Sequence, residues 1–217
     1  MELVQLSREE SFETFVFRKL RALKSIILCE GVTEKMVIKK IVKKLHLDIR
    51  SAVGIIECGG IPHIYNYTSI ISLLISIARK IRSIGIVVDG EDMDPQQRVE
   101  SLINSIRARG IEVYELSEVG QQLYRARAVS LHRHSVELYI AVNGVYSYDL
   151  DKHTIHDHGL ALAYRMNLID SNTIQTTRLA EDVISKDKLL ELVERASIND
   201  LKECFKHVIH MIKTLTV

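Results

Sequence analysis

The feature that most constrains the fold is a regular alternation of two kinds of segment between residues 25 and 145. Short apolar runs, typical of strands buried on both faces, alternate with stretches whose apolar residues recur at helical spacing. The runs cover residues 25–29, 52–58, 84–88, 111–116 and 136–142. This alternation predicts an α/β fold with a mostly parallel, Rossmann-like sheet between helices.

Three helices are predicted between these runs. Thr33 can cap the first, and the second covers about residues 66–82. The third begins at Asp94-Pro95, which supplies an N-cap and a first-turn proline, and Gly110 stands where a C-terminal cap belongs. The helices therefore fit between the predicted strands.

The chain divides into three parts by its pattern. Residues 1–24 are predicted to form an amphipathic helix, because Ser7 begins a capping-box spacing ahead of apolar residues at helical intervals. Residues 25–145 form the α/β domain. After Asn143 the sequence becomes polar and His-rich and then helical, so we predict a helical C-terminal appendage over residues 146–217.

Composition excludes several classes of protein. The chain has 29 Lys and Arg against 28 Asp and Glu, so any nucleic-acid binding must be local. Cys29, Cys58 and Cys204 are too few for a disulfide scaffold and indicate a reducing compartment. No apolar stretch reaches the roughly 20 residues of a membrane span, and the acidic N-terminus does not resemble a signal peptide. We expect a cytoplasmic protein without a membrane partner.

Acidic residues follow two of the predicted strands. Glu30 ends the first, and Asp89, Glu91 and Asp92 follow the third. Carboxyl ends of parallel strands meet at one sheet edge, so Glu30 and Asp89 converge if the two strands are neighbours. Carboxylate oxygens without nearby Cys or His select Mg²⁺ or Mn²⁺. Asp92 is a further candidate ligand, with a solvated loop charge as the alternative, and Asp94 is better explained as a helix cap.

Basic and histidine clusters are open to two interpretations. Lys35, Lys39 and Lys43 lie on the polar side of the first helix and could contact a phosphate backbone, or they form a solvated helix face. The same alternatives hold for a basic patch around Arg127. Histidines around Asp157 have spacing that a transition metal could use, but a polar turn is favoured.

Two motifs together resemble the Toprim domain of topoisomerases, primases and overcoming-lysogenization-defect nucleases. Residues 28–35 read Leu-Cys-Glu-Gly-Val-Thr-Glu-Lys, and residues 86–91 read Ile-Val-Val-Asp-Gly-Glu. In that family a Glu ends the first strand and an Asp-x-Asp motif ends the third, and together they bind Mg²⁺ for phosphodiester chemistry. The likeness covers roughly residues 25–142. It is closest to small archaeal Toprim-like proteins.

The resemblance implies roles for three residues. Glu30 would be the general acid or base and an ion ligand, and Asp89 would be the first Asp of the motif. Glu91 would be the second acidic residue, although the family has Asp there and the longer side chain shifts the geometry. The resemblance therefore implies a Mg²⁺-dependent nuclease with Glu30, Asp89 and Glu91 at its catalytic centre.

Two other functions stay open at this stage. The first is a non-catalytic Toprim-like module that binds nucleic acid or a protein partner through the acidic edge. The second is a small-molecule nucleotide phosphotransferase. A complete topoisomerase is not expected, because no strand-passage gate or nucleophilic Tyr is identified. The sequence does not choose between DNA and RNA, and it leaves the oligomeric state open, a homodimer included.

Overall fold

The computed structural model describes residues 4–5, 23–46, 53–58, 69, 71, 74–75, 80–130 and 133–216. Most of the predicted N-terminal helix over residues 1–24 and most of the predicted helix over 66–82 lie outside these residues. Where the first of them is described, at Val4–Gln5, the helix prediction was wrong, because these residues form a strand that pairs with the sheet. Within them, one sheet has the strands β1 (Val4–Gln5), β2 (Ser25–Cys29), β3 (Val53–Glu57), β4 (Ser83–Asp89), β5 (Glu112–Gly120), β6 (Leu123–Val129) and β7 (Ser135–Asn143).

The helices of the described residues are short. They are α1 (Val32–Lys44), α2 (Pro95–Arg107), α3 (Ile155–Arg165), α4 (Ser171–Thr176), α5 (Ala180–Val183), α6 (Lys186–Arg195), α7 (Ile198–Cys204) and α8 (Lys206–Leu215). None of the helices in this part of the chain has both the length and the apolar character needed to cross a bilayer.

The strand order is β1-β3-β2-β4-β7-β6-β5. The first five strands in this order, β1, β3, β2, β4 and β7, pair with one another in parallel. Strand β6 is antiparallel to both β7 and β5. The predicted α/β class with a mostly parallel sheet is confirmed. Strand β6 was not predicted, because its alternating Arg125 and Arg127 were interpreted as a surface patch. Charged residues at every second position are typical of an antiparallel strand with one face exposed to solvent.

The sheet buries different residues on its two faces. On β4, Ile84, Ile86 and Val88 join the core beneath α2, whereas Val87 joins the core that includes residues of α1 and α8. Helix α8 packs across β4, β7 and β6. A Cβ on Gly85 would lie 2.6 Å from Leu215 Cδ1, so a glycine is required where α8 crosses the strand. The division of the chain at residues 24 and 145 stays a prediction.

The two helices that follow the acidic strand ends begin differently. Asp94 caps α2 by accepting the backbone N–H of Gln97, and Pro95 occupies the first turn, as predicted. The predicted cap of α1 was wrong. Gly31 is the N-cap and Thr33 lies inside the first turn, because Glu34 accepts the Gly31 N–H with its own carboxylate.

Candidate functional site

The ends of β2 and β4 bring the first two acidic residues together. The two strands are parallel neighbours, with Cys29 opposite Val87, and Glu30 N–H donates to the Val87 carbonyl at 3.2 Å. The neighbouring arrangement on which the predicted convergence depended is therefore confirmed. Glu30 and Asp89 leave the sheet at the same edge, where the loops of a parallel sheet place its ligands.

The Glu30 carboxylate is buried against the backbone of Asp89. Its Oε2 accepts the Asp89 N–H at 3.1 Å and lies 3.5 Å from Arg98 Nη2. Its Oε1 is buried and has no hydrogen-bond partner among the described residues. Burial raises the pKa of Glu30, and the Asp89 N–H and the charge of Arg98 offset part of that increase.

The Asp89 carboxylate is held by two donors. Its Oδ1 accepts from Asn143 Nδ2 at 2.9 Å and from Ile155 N–H at 3.0 Å. Arg98 Nε donates to the Asp89 carbonyl at 2.8 Å, so one guanidinium contacts both acidic strand ends. Burial raises the pKa of Asp89 well above its ordinary value, and the charges of Glu34 and Glu30 raise it further.

Glu34 is an acidic neighbour of the site that was not predicted. It is buried, and its carboxylate accepts the Gly31 N–H at 2.8 Å. Its charge raises the pKa of both Glu30 and Asp89. Its position one helical turn after Glu30, on the buried side of α1, was the available signal.

Glu91 and Asp92 lie in the loop between β4 and α2. Glu91 adopts a left-handed backbone (φ 57°) and exchanges two backbone hydrogen bonds of 2.8 Å with His153. Its carboxylate lies 3.3 Å from Lys152 Nζ, and its charge adds to the raised pKa of Glu30 and Asp89. Asp92 is exposed in the turn. Catalytic and ligand roles for these two residues stay predictions.

Asn143 connects the site to a buried histidine. Asn143 ends β7, and its Nδ2 donates to Asp89, so its Oδ1 is the acceptor for His207 Nε2 at 3.1 Å. His207 in turn packs on His158 with ring centroids 4.8 Å apart. From the sequence, Asn143 marks only the point where the pattern changes, because nothing local indicates a partner 64 residues away.

The arrangement of these residues shows whether they could hold a divalent ion. Among the residues that the structure describes, no three His, Cys, Asp or Glu side chains are arranged to hold a metal, so the four predicted ligands do not form such a group. Mg²⁺ is nevertheless often held by one or two carboxylates and several waters. Glu30 and Asp89 fit that pattern, since Glu30 Oε1 is a buried acceptor without a partner.

The predicted basic residues have different surroundings. Lys35 Nζ binds Glu57 Oε2 at 2.9 Å, at the end of β3, whereas Lys39 and Lys43 are exposed on α1. In the basic patch around Arg127, Arg125 and Arg127 of β6 both form ion pairs with Glu137. Nucleic-acid contacts by Lys35, Lys39 and Lys43 stay predictions.

The histidines around Asp157 contact three different groups. His153 Nδ1 lies 2.9 Å from Asp157 Oδ2, and His156 Nδ1 lies 2.6 Å from the Ile184 carbonyl. His158 Nε2 accepts the Gly144 N–H at 3.1 Å. These contacts fix the loop after β7 and the start of α3, the segment that donates Ile155 N–H to Asp89.

Comparison with known proteins gives one family. The family model described as "Protein of unknown function (DUF3226)" matches residues 24–135. No curated protein matches the chain. The family description names no source organism, so the archaeal likeness stays a prediction.

Two solved structures resemble the fold. The C-terminal region of the Burkholderia pseudomallei OLD protein has a TM-score of 0.49 and 13% identity, covering 90% of this chain and 99% of its own. The C-terminal region of the Xanthomonas campestris pv. campestris OLD protein has a TM-score of 0.44 and 13% identity, covering 88% and 95%. No activity, substrate or partner of those proteins is carried over from these similarities.

Proposed function

This chain belongs to the DUF3226 family, whose description assigns no activity, and from its acidic sheet edge we propose that it is a divalent-metal-dependent phosphodiester hydrolase acting on nucleic acid, a Toprim-type nuclease. One observation carries the proposal. The Glu30 carboxylate lies on the Asp89 backbone across two adjacent parallel strand ends, with one buried oxygen that has no partner in the described part of the chain. Structural carboxylates are seldom left in that condition.

Each residue of the site has a proposed part. Glu30 and Asp89 would hold Mg²⁺ or Mn²⁺, which when bound supplies positive charge to a phosphoryl group in transfer. Burial raises the pKa of Glu30, a shift in the direction that suits a carboxyl that passes a proton to a leaving oxygen. Asn143 and the Ile155 N–H fix the orientation of Asp89.

Arg98 has a positioning part in this proposal. It is buried, and it contacts the Asp89 carbonyl and the Glu30 carboxylate together. A cation at this place lowers the pKa of Glu30 and keeps the carboxylate at the Asp89 backbone. Because Arg98 belongs to α2, which Asp94 and Pro95 start, the helix sets the position of the guanidinium relative to the sheet edge.

The substrate and the compartment are also proposals. Lys39 and Lys43 on α1 are exposed and could follow a phosphate backbone that enters the site, although the net charge of +1 supplies no general attraction. All three cysteines are free, and two of them are buried. Free thiols are typical of proteins that function in a reducing compartment such as the cytoplasm.

A second function is a non-catalytic module that holds nucleic acid or a protein partner at the same edge. Two observations favour it. Arg98 already places a positive charge beside Glu30, and no three-ligand metal group forms among the described residues. This alternative predicts ion or partner binding without turnover.

The decisive experiment is cleavage of labelled DNA and RNA, single- and double-stranded, with Mg²⁺, with Mn²⁺ and with EDTA. We expect metal-dependent cleavage by the wild type and a loss of about 100-fold or more in Glu30→Gln and Asp89→Asn, as for residues that hold and protonate reacting groups. Glu100→Gln on α2 and Asp182→Asn on α5 alter exposed carboxylates and should cleave like the wild type.

Two results would decide against the nuclease. Equal cleavage by the wild type and both site variants would show that the activity does not use this site. Metal binding by the wild type in calorimetry, lost in Asp89→Asn but without cleavage of any substrate, would establish the non-catalytic module instead.

A further inference from the structure

The guanidinium of Arg98 contacts both acidic strand ends but is hydrogen-bonded to only one of them. Its Nε donates to the Asp89 carbonyl at 2.8 Å, and its Nη2 lies 3.5 Å from Glu30 Oε2. Hydrogen bonds from a guanidinium to a carboxylate are usually about 2.7–2.9 Å long. The contact between Arg98 and Glu30 is therefore an ion pair without a hydrogen bond.

This loose contact leaves two complementary atoms unsatisfied. Arg98 Nη2 is a donor and Glu30 Oε1 is an acceptor, and neither has a hydrogen-bond partner in the part of the chain that the structure describes. The two side chains are only 8% and 6% exposed. A buried arginine and carboxylate that served stability alone would be expected to close these bonds, because each unmade buried bond costs free energy. The pair is therefore built for something other than a tight salt bridge.

The charge of Arg98 acts on the same carboxylate that a divalent ion would use. The charges of Glu34 and Glu91 raise the pKa of Glu30, and the charge of Arg98 lowers it. Charges interact more strongly in a buried site than in water, so a guanidinium 3.5 Å from Glu30 repels any second cation that binds there. Arg98 and a divalent ion therefore oppose each other at Glu30.

Burial also limits how an ion reaches Glu30. Its Oε1 is the free acceptor, but that atom is enclosed by the protein, so an ion contacts it only after a neighbouring group moves. Arg98 is held here by one hydrogen bond and one long ion pair, whereas the Asp89 carboxylate is held by two donors at 2.9 and 3.0 Å. The guanidinium is thus the more weakly held of the two groups.

We propose that Arg98 is a built-in counter-ion, which neutralises Glu30 in the metal-free protein and withdraws from it when a divalent ion binds. The guanidinium and the ion compete for one carboxylate, so Arg98 lowers the affinity of the site for the ion. It also replaces the ion in part, because it keeps the buried carboxylate from being left without a positive charge. This inference rests on the proposed ion site but not on catalysis.

Calorimetric titration of the full chain with Mn²⁺ tests the competition, near pH 8, where protons compete least with the ion. We expect Arg98→Gln, which removes the charge, to bind Mn²⁺ at least about tenfold more tightly than the wild type. Arg98→Met is a second neutral variant for the case that the first does not fold. Arg98→Lys keeps the charge and should stay within about threefold of the wild type. The gain should be absent when Arg98→Gln is combined with Glu30→Gln, because the contested carboxylate is then missing.

Thermal melting gives a second readout that does not depend on activity. In EDTA, Arg98→Gln should melt at a lower temperature than the wild type, because it leaves Glu30 without a cation. Mn²⁺ should then raise the melting temperature of this variant by more than that of the wild type, because the ion replaces the missing charge. The matched control is Arg107→Gln, an exposed position on the same helix, which should bind Mn²⁺ like the wild type.

A crystal structure of the wild type with Mn²⁺ tests the movement itself. With the ion bound, Arg98 Nη2 should lie beyond the roughly 4 Å range of an ion pair with Glu30. An unchanged contact in that structure, or Mn²⁺ binding by the neutral variants that is no tighter than that of the wild type, overturns the inference. If no protein in the series binds Mn²⁺, the inference and the ion site both fail. Tighter binding by the neutral variants without cleavage of any nucleic acid would support the inference and contradict only the nuclease.

Discussion

The acidic site and the buried pair of His158 and His207 are two polar regions that share one residue, and they respond to pH in opposite ways. Asn143 donates to Asp89 on one side and accepts from His207 on the other. Burial raises the pKa of Asp89 and Glu30, whereas it lowers the pKa of His158 and His207. Burial disfavours the charged form in both regions, but that form is the deprotonated acid in one and the protonated base in the other.

The contribution of the acidic site to the free energy of unfolding decreases as the pH rises. The ordinary pKa values are 3.8 for Asp and 4.5 for Glu, and the folded values of Asp89 and Glu30 lie above them. Between the two values the native state binds more protons than the unfolded state. The free energy of unfolding therefore decreases as the pH rises from about 4 through the folded pKa values.

The contribution of the buried histidines to the free energy of unfolding decreases as the pH falls. Unfolded histidine has a pKa of 6.5, and that of folded His158 is about 4. Below pH 6.5 the unfolded state takes up protons that the native state excludes, so the free energy of unfolding decreases toward pH 4. The wild type thus has opposed contributions between about pH 4 and 6.5, and single substitutions should separate them.

Removal of the shared residue should have the largest effect. Asn143→Ala leaves the His207 N–H buried without an acceptor and removes a donor from Asp89, so we expect a loss of about 4 kcal/mol in the free energy of unfolding at pH 7. Urea denaturation measures it. Asn104→Ala, at an exposed position of α2, should change stability by less than about 0.5 kcal/mol. A similarly small loss in Asn143→Ala would mean that Asn143 does not link the two regions.

His158→Gln should remove much of the acid-side loss. The drop in pKa from 6.5 to about 4 makes this histidine responsible for a loss of about 3 kcal/mol between pH 7 and pH 4. The variant should be about 1–2 kcal/mol less stable at pH 7, because ring packing on Phe205 is lost, but its stability should fall less on acidification.

Urea denaturation at several pH values between 4 and 7 gives the two slopes for this comparison. His210→Gln at an exposed position of α8 serves as the control and should keep the wild-type slope. An unchanged slope in His158→Gln would assign the acid-side loss to other groups.

The sheet and the two acidic strand ends could be predicted because their signals are local. An apolar run followed by Glu30-Gly31 or Asp89-Gly90 reports both a buried strand and its end. The predicted segments 25–29 and 84–88 agree with β2 and β4 to within a residue at each end. Strand β6 was missed because its exposed arginines resemble a charged loop when its antiparallel partners are unknown.

The rest of the site depends on contacts that the sequence does not encode locally. Arg98 lies four residues before Leu102 of the buried α2 stripe, which was a usable signal, but its contact with Glu30 requires the packing of α2 on the sheet. The link from Asn143 to His207 joins residues 64 positions apart. The ligand role of Glu91 stays a prediction, and its left-handed backbone and its contact with Lys152 arise from a pairing with His153 that nothing near it in the sequence indicates.

Asp89→Asn should stabilise the fold while it removes the proposed activity. An amide keeps an oxygen for the Asn143 and Ile155 donors but carries no charge to desolvate, so we expect a gain of about 1–2 kcal/mol at pH 7. The decrease in stability above pH 4 should become shallower. Thermal and urea denaturation from pH 4 to pH 8 test this, with exposed Asp182→Asn expected to show no gain. Destabilisation by Asp89→Asn at every pH would mean that the charged form is favoured in the native state.

The smallest effect is expected at the rim of the acidic site. Lys152 pairs with Glu91 at 3.3 Å and its side chain is 58% exposed, so Lys152→Ala should lower the free energy of unfolding by no more than about 0.5 kcal/mol. The effect should disappear in about 1 M salt, where the screening length is near 3 Å. Lys40→Ala, which breaks an exposed pair with Glu194, is the matched comparison. A larger loss in Lys152→Ala than in Lys40→Ala at low salt would indicate that Lys152 also offsets the charge of Glu30 and Asp89, and equal losses would confine the lysine to its contact with Glu91.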